Sequence, residues 1–282
     1  MKIVFISKNP DIASDFCSRL ASDQIEATAV DYANLDIYFS NETASIKNHK
    51  TGEDLREYDK IIVIGAPDPL IHILSAVSCY CRKNDIDMLD ASFNNCSGKL
   101  YEMARFWENG ISIPKTAFGN LEHLTKCLAD FGGTAVLKAT HGTKGKDNYL
   151  IHSPEELAKI LEDKDSLDYV MQEFIPNTGD YRIVTFDYEP KLAIYRSSTT
   201  GDHRNNTSLG GSANIVDITP ELAELSSKAA KALDIRFAGV DIITDKNTGK
   251  NYILEINRTP QFVSGAFIDE KYQVLLNYLN RS

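Results

Sequence analysis

Through the first hundred residues, short β-branched runs alternate with stretches whose apolar positions recur at helical spacing. Lys2–Ser7 is a strand-like run, and residues 11–21 place Ile12, Phe16 and Leu20 on one helical face. Residues 25–31 predict a second strand, whereas the polar stretch 40–57 shows no clear periodicity. Ile61-Ile62-Val63-Ile64-Gly65 is continuously apolar, as a strand buried on both faces must be. Residues 69–82 predict a helix with proline at its start. This strand–helix alternation is the pattern of an open parallel sheet.

The pattern then changes. Polar turn formers cluster at Asn94-Asn95-Cys96-Ser97-Gly98, Lys99–Glu108 predicts a helix closed by Asn109-Gly110, and Ile113-Pro114 extends the chain. Residues 121–131 predict a helix, Ala135–Ala139 a strand, residues 142–145 a glycine-bracketed loop and Asn148–Ile151 its hairpin partner. Pro154–Leu161 predicts a helix that Ser153 caps. From Asp168 onward antiparallel signals dominate. Residues 169–175 predict a strand, residues 181–187 and 192–197 a pair joined at Tyr188-Glu189-Pro190, and residues 219–233 a long helix. Phe237–Thr244 and residues 251–256 flank Lys246-Asn247-Thr248-Gly249, a further hairpin. No internal repeat or low-complexity segment interrupts the chain.

Composition narrows the function classes. A net charge of -10 over 282 residues argues against unspecific binding to nucleic acid or an anionic membrane, because both need a basic face. Cys17, Cys79, Cys81, Cys96 and Cys127 are odd in number and form neither a CxxC pair nor a zinc-like cluster, so free thiols in a reducing cytosol are expected. Residues 1–6 are too short for a signal peptide's apolar region, and no apolar run approaches the roughly 18 residues of a membrane span. A cytoplasmic protein is the expectation.

Four groups of residues carry candidate chemistry. Asp241 on one strand, with Glu255 and Asn257 two apart on the next, offers hard oxygen donors suited to Mg²⁺ bridging nucleotide phosphates, although hairpin acids facing water would read the same way. Lys99 opens a helix, and Lys138 ends an apolar strand just before His141-Gly142-Thr143-Lys144-Gly145, whose backbone N–H groups could cradle phosphate or simply make a turn. Gln172-Glu173-Phe174-Ile175, a strand entering a linker, precedes Gly179-Asp180-Tyr181-Arg182 and could offer backbone groups to an adenine and an acid to a ribose. Arg196, Arg204, Asn205, Asn206 and Gly210-Gly211-Ser212 suit an acyl phosphate or a substrate carboxylate, or else form a solvated loop. His72, His141, His152 and His203 have no evident acid–nucleophile companions, so no triad is expected.

Taken in order, these strings resemble the ATP-grasp superfamily, its RimK-type carboxylate–amine ligases most closely, over residues 89–265. Ser97-Gly98-Lys99, Val136-Leu137-Lys138, Gln172-Glu173-Phe174-Ile175, Gly179-Asp180-Tyr181-Arg182, Gly201-Asp202-His203-Arg204-Asn205-Asn206, Gly210-Gly211-Ser212-Ala213, Ala238-Gly239-Val240-Asp241-Ile242 and Leu254-Glu255-Ile256-Asn257 carry the likeness. The resemblance implies an α/β (α+β) ATP-grasp fold. Residues 1–95 would be an open-sheet pre-ATP-grasp domain, 96–176 a small central lid subdomain, and 177–282 an antiparallel-sheet catalytic subdomain.

The resemblance also implies residue roles. Lys99 and Lys138 would contact ATP phosphates beneath a lid that includes Gly142, Thr143 and Gly145. Gln172, Glu173, Phe174 and Ile175 would meet adenine, and Asp180 the ribose. Asp241, Glu255 and Asn257 would hold two Mg²⁺ ions, with Mn²⁺ as the alternative. Arg196 and Arg204 would face the transferring phosphate, and Arg182, Asn206, Gly210 and Gly211 the substrate. The implied reaction activates a carboxylate as an acyl phosphate, lets an amine displace phosphate, and releases ADP. The partners would be small-molecule or peptide carboxylates and amines, with homo-oligomerisation left open.

Two positions depart from the family pattern. Leu209 stands where arginine often precedes the Gly-Gly pair, and Gln261 follows Thr259-Pro260. A regulator of the same fold with reduced activity is the alternative, disfavoured by the retained Lys138, Asp241, Glu255 and Asn257. A dehydrogenase is disfavoured because Ser7-Lys8-Asn9-Pro10 replaces a GxGxxG after the first strand.

Overall fold

A computed structural model describes residues 1–65, 70–89, 98–140, 148–197 and 211–281. The chain opens with β1 (Lys2–Ser7), α1 (Ser14–Ser22), β2 (Glu26–Asp31), a hairpin of β3 (Leu35–Phe39) and β4 (Ala44–Asn48), then β5 (Lys60–Val63), α2 (Ile71–Lys83) and β6 (Asp87–Leu89). Four of these strands form a parallel sheet in the order β2-β1-β5-β6. The continuous apolar strands are sandwiched as their composition requires. Val4, Ile6, Ile61 and Val63 pack with Leu74 and Val77 of α2 on one face, and Ile3, Phe5 and Ile62 pack with Phe16 and Leu20 of α1 on the other.

The expected first helix starts later than its apolar spacing suggests. Residues 10–13 form a 3-10 turn capped by the Asn9 side chain, and the α-helix begins at Ser14. The polar stretch 40–57 contains β4 and the 3-10 turn Leu55–Glu57. Only Ile46 of β4 and Leu55 are fully buried there, too few apolar positions to mark a period.

Next come α3 (Lys99–Glu108), β7 (Thr116–Ala117), α4 (Leu121–Asp130), β8 (Ala135–Ala139), β9 (Asn148–Ile151), α5 (Pro154–Leu161) and β10 (Tyr169–Glu173). The strands pair antiparallel in the order β7-β10-β8-β9. Asn120 and Ser153 cap α4 and α5 by accepting from the His123 and Glu156 backbone N–H groups. Both helices cover one face, where Leu124, Leu128, Leu137, Ile151, Leu157 and Met171 form a core. Val136, Lys138, Val170 and Gln172 therefore turn to the opposite face.

The last part holds β11 (Asp180–Phe186), β12 (Glu189–Ser197), β13 (Ser212–Val216), α6 (Pro220–Ala232), β14 (Phe237–Thr244), β15 (Asn251–Asn257) and α7 (Ile268–Leu279). Its strands form an antiparallel sheet ordered β13-β12-β11-β14-β15. The β11–β12 turn lies at Asp187-Tyr188, not at the expected Tyr188-Glu189-Pro190. Both residues take positive φ (48° and 65°), the two-residue geometry whose twist matches paired strands. Side chains hold this left-handed turn, since Tyr188 donates to Asp234 and Arg236 to Asp187.

α6 and α3 cover one face of this sheet. The other face meets the N-terminal sheet and α7 through an aromatic cluster in which Phe186 stacks on Phe237 at 4.6 Å and on Tyr278 at 4.8 Å. Cys17, Cys79, Cys81 and Cys127 are free thiols, as expected. Among the described residues, no helix is long and apolar enough to cross a membrane.

Candidate active site

A β-bulge sets the site's geometry. Asp241 on β14 pairs with Glu255 on β15, yet the neighbouring Ile242 pairs with Ile253, leaving Leu254 as an extra residue. Strict alternation along β15 would put Ile253 and Glu255 on the same face. The bulge instead sends Ile253 and Ile256 to the core beneath α6, and Glu255 and Asn257 to the face of Asp241. Asn257 Nδ2 lies 3.5 Å from Asp241 Oδ2 and 3.4 Å from Glu255 Oε1. Rotating that amide by half a turn would aim its oxygen at the two carboxylates' shared space. Asp241, Glu255 and Asn257 are thus one constellation of hard oxygen donors, a chemically fitting set for a divalent cation.

Two arginines occupy the same face. Asp241 is 4% exposed and is gripped by both forks of Arg182, with Nη2 at 2.7 Å from Oδ2. Arg196 donates to Asp180 at 2.8 and 2.7 Å and lies 3.3 Å from Asp241. Two buried acids and two half-buried arginines therefore close a quartet. Burial pulls the Asp241 carboxyl upward, but Arg182 and Arg196 outweigh it and hold the group below its usual range. Asp180 goes the other way, raised by burial and by Asp241 against the pull of Arg196. Gly239 makes room for the arrangement, because a Cβ there would meet Arg182 Cδ at 2.9 Å.

The facing sheet contributes Lys138. Its ammonium donates to Gln172 Oε1 at 2.5 Å, and Gln172 is fixed in turn by Thr116 Oγ1 at 3.1 Å and the Met103 sulfur at 3.2 Å. Lys138 is half-buried on that face. Burial lowers its pKa, Glu255 opposes this, Lys99 adds to it, and Asp241 and Glu102 oppose it in turn. Those couplings bring Lys99, Lys138, Asp241 and Glu255, from four different elements, into one electrostatic neighbourhood.

Glu102 was not foreseen. It lies on the first turn of α3, and its Oε2 accepts from the outward-facing N–H of Ile256 on the edge strand β15 at 3.4 Å. Burial and the charge of Glu255 push its carboxyl up to about 7. The signal available in the sequence was its spacing of three from Lys99, which puts both near the helix start.

The remaining expected residues fall as follows. Glu173 and Phe174 use their N–H groups on the Lys115 and Thr134 carbonyls, at 2.8 and 3.3 Å, while Ile175 N–H has no partner among the described residues. Asp180, expected at a ribose, has its carboxylate committed to Arg196, because its register on β11 places it opposite that residue. Arg182, expected at the substrate, is committed to Asp241, its register partner on β14. Gly211 leads into β13, whose Ser212 hydroxyl bonds Ser197 at 2.8 Å. Gly142, Thr143, Gly145, Arg204, Asn206 and Gly210 lie outside the described residues.

Fold and site together define an α/β protein in which hard oxygen donors on one antiparallel sheet lie within electrostatic reach of a lysine on another. The chain belongs to the RimK-like ATP-grasp domain family, whose model matches residues 96–271. It is 29% identical over 269 residues to a probable alpha-L-glutamate ligase of Shewanella pealeana, covering 92% of this chain and 58% of that protein. It is 30% identical over 221 residues to a probable alpha-L-glutamate ligase of Maridesulfovibrio salexigens, covering 74% and 71%. Its fold matches that of macrocyclase MdnC from Microcystis aeruginosa, solved with the precursor peptide MdnA. The TM-score is 0.74 at 14% identity, over 100% of both chains.

Proposed function

We propose that the protein is an ATP- and Mg²⁺-dependent ligase that joins a carboxylate to an amine and releases ADP and phosphate. The observation that carries this reading is the convergence of Asp241, Glu255 and Asn257 on one sheet face, within electrostatic reach of Lys138 on the facing sheet. Hard oxygen donors beside fixed cations are what a metal-bound polyphosphate needs.

Each residue's part follows from its chemistry. The Ile175 N–H, without a partner among the described residues, suits an adenine edge better than the engaged N–H groups of Glu173 and Phe174. Lys138 and Lys99 would neutralise phosphate oxygens, Lys99 with the help of the positive end of α3. Asp241, Glu255 and Asn257 would hold Mg²⁺, which when bound supplies charge neutralisation at the transferring phosphoryl group. Asp180 orients Arg196, and Arg196 with Arg182 would face the developing acyl phosphate. An amine then attacks the acyl carbon and phosphate leaves, so no nucleophilic side chain is needed. The relatives' names make L-glutamate the first amine to try.

The test is product analysis. The protein incubated with Mg-ATP, L-glutamate and pooled carboxylates is expected to yield ADP and phosphate. AMP and pyrophosphate would contradict the reading. Glu255→Gln and Lys138→Ala are each expected to lower turnover at least 100-fold while the melting temperature holds. Full turnover in both variants would remove this cleft from the reaction.

A further inference from the structure

One buried cation in this molecule has no acidic partner among the described residues. Lys271 on α7 is 5% exposed, and its ammonium donates to the carbonyl oxygens of Gln261 at 3.0 Å and Ser264 at 2.9 Å. Burial, with Arg182 nearby, lowers its pKa to about 8. An apolar side chain would fill such a position without the desolvation cost, so the structure keeps a charge here for what it grips.

What it grips borders the site. The turn 258–265 begins directly after Asn257. Pro260 is buried beside Gly239, where a Cβ would come within 3.0 Å of it and 2.9 Å of Arg182, so the turn and the arginine that holds Asp241 border the same glycine. Phe262 anchors the turn in the aromatic cluster, 5.5 Å from Phe237, while Gln261 stays exposed. Without the ammonium, the Gln261 and Ser264 carbonyls would lose the shared donor that ties the two ends of the turn together.

We propose that Lys271 is a positioning residue: it closes the Gln261–Ser264 turn into a fixed wall at the metal end of the cleft, against which the non-nucleotide substrate is seated. The hold on the turn stands on its own, and the substrate part rests on the ligase reading above.

Lys271→Met tests it, with Lys271→Gln, which keeps a donor without the charge, as the second variant. Hydrogen–deuterium exchange over 258–266 is expected to quicken at least fivefold in Lys271→Met, with exchange over 169–176 unchanged. With L-glutamate as the probe amine, its KM is expected to rise at least fivefold while KM for ATP stays within twofold. Lys271→Gln is expected to recover part of both effects. Unchanged exchange over 258–266 would overturn the proposal, as would equal rises in the two KM values, which a general loosening produces. Should the wild type turn over no L-glutamate, the ligase reading with that amine fails, and the exchange comparison alone decides whether Lys271 holds the turn.

Discussion

Glu102 shows how one side chain can tie stability to pH. Its carboxyl is raised from 4.5 to about 7, so the folded chain binds more protons than the unfolded one between those values. The contribution to stability is fully present below pH 4.5 and is lost as pH rises through about 7. Glu102→Gln keeps an acceptor for the Ile256 N–H and removes the charge. It is expected to stabilise the metal-free protein by about 1–3 kcal/mol at pH 8 and by almost nothing at pH 4.5. Thermal melts across that range in chelator check this, and a pH-independent difference would refute it. The burial of Glu102 and Lys271 was not legible in the sequence, because burial of a charge depends on which element arrives from elsewhere in the chain. Asp241, Glu255 and Asn257 were legible, because hairpin neighbours sit close by necessity.

Among the elements, the hairpin of β14 and β15 positions the site, and the sequence predicted both strands to within a residue. The bulge at Leu254 was hidden. Plain alternation already put Glu255 and Asn257 together, but it would have placed Ile253 with them, and only the pairing with Ile242 shows that Ile253 faces α6. The same strand pair depends on Gly239. Gly239→Ala would press a Cβ on Arg182 Cδ and Pro260 Cβ, at 2.9 and 3.0 Å. The expected cost is about 1–3 kcal/mol, the range for overpacking a filled interior. Denaturant unfolding of this variant beside Gly249→Ala, which meets no atom within 4 Å but sits at φ 73° where Gly239 has no positive φ, separates crowding from backbone strain. The β11–β12 turn was placed one residue late because Pro190 reads as a turn former. It stands instead inside β12, opposite Thr185, next to the irregularity in that ladder.

At the scale of the whole molecule, the N-terminal parallel sheet is joined to the C-terminal antiparallel sheet by charge as well as by aromatic packing. Arg236 donates to Asp187 at 2.5 Å and to Asp87 at 2.6 Å, while Lys60, 3% exposed, pairs with Asp87 from within the N-terminal sheet. Arg236→Ala would leave both acids short of a partner. It is expected to cost about 1–2 kcal/mol, modest because those acids are partly solvated. Protease susceptibility around residues 84–89 is expected to rise with it, and an unchanged digestion pattern would show that the aromatic cluster suffices. The parallel half and the antiparallel half were both legible from periodicity, whereas their docking through α7 was not: Ile268, Tyr272, Leu275, Leu276 and Leu279 carry a helical period, but periodicity does not say which sheets that face meets.

In the proposed reaction a nucleotide is held through a metal by Asp241, Glu255 and Asn257. Calorimetric titration of ADP into the wild type and Glu255→Gln, each with Mg²⁺ and with chelator, tests it most directly. Binding is expected to require Mg²⁺ and to weaken at least tenfold in the variant, with melting temperatures alike. Equal affinity in all four titrations would contradict it.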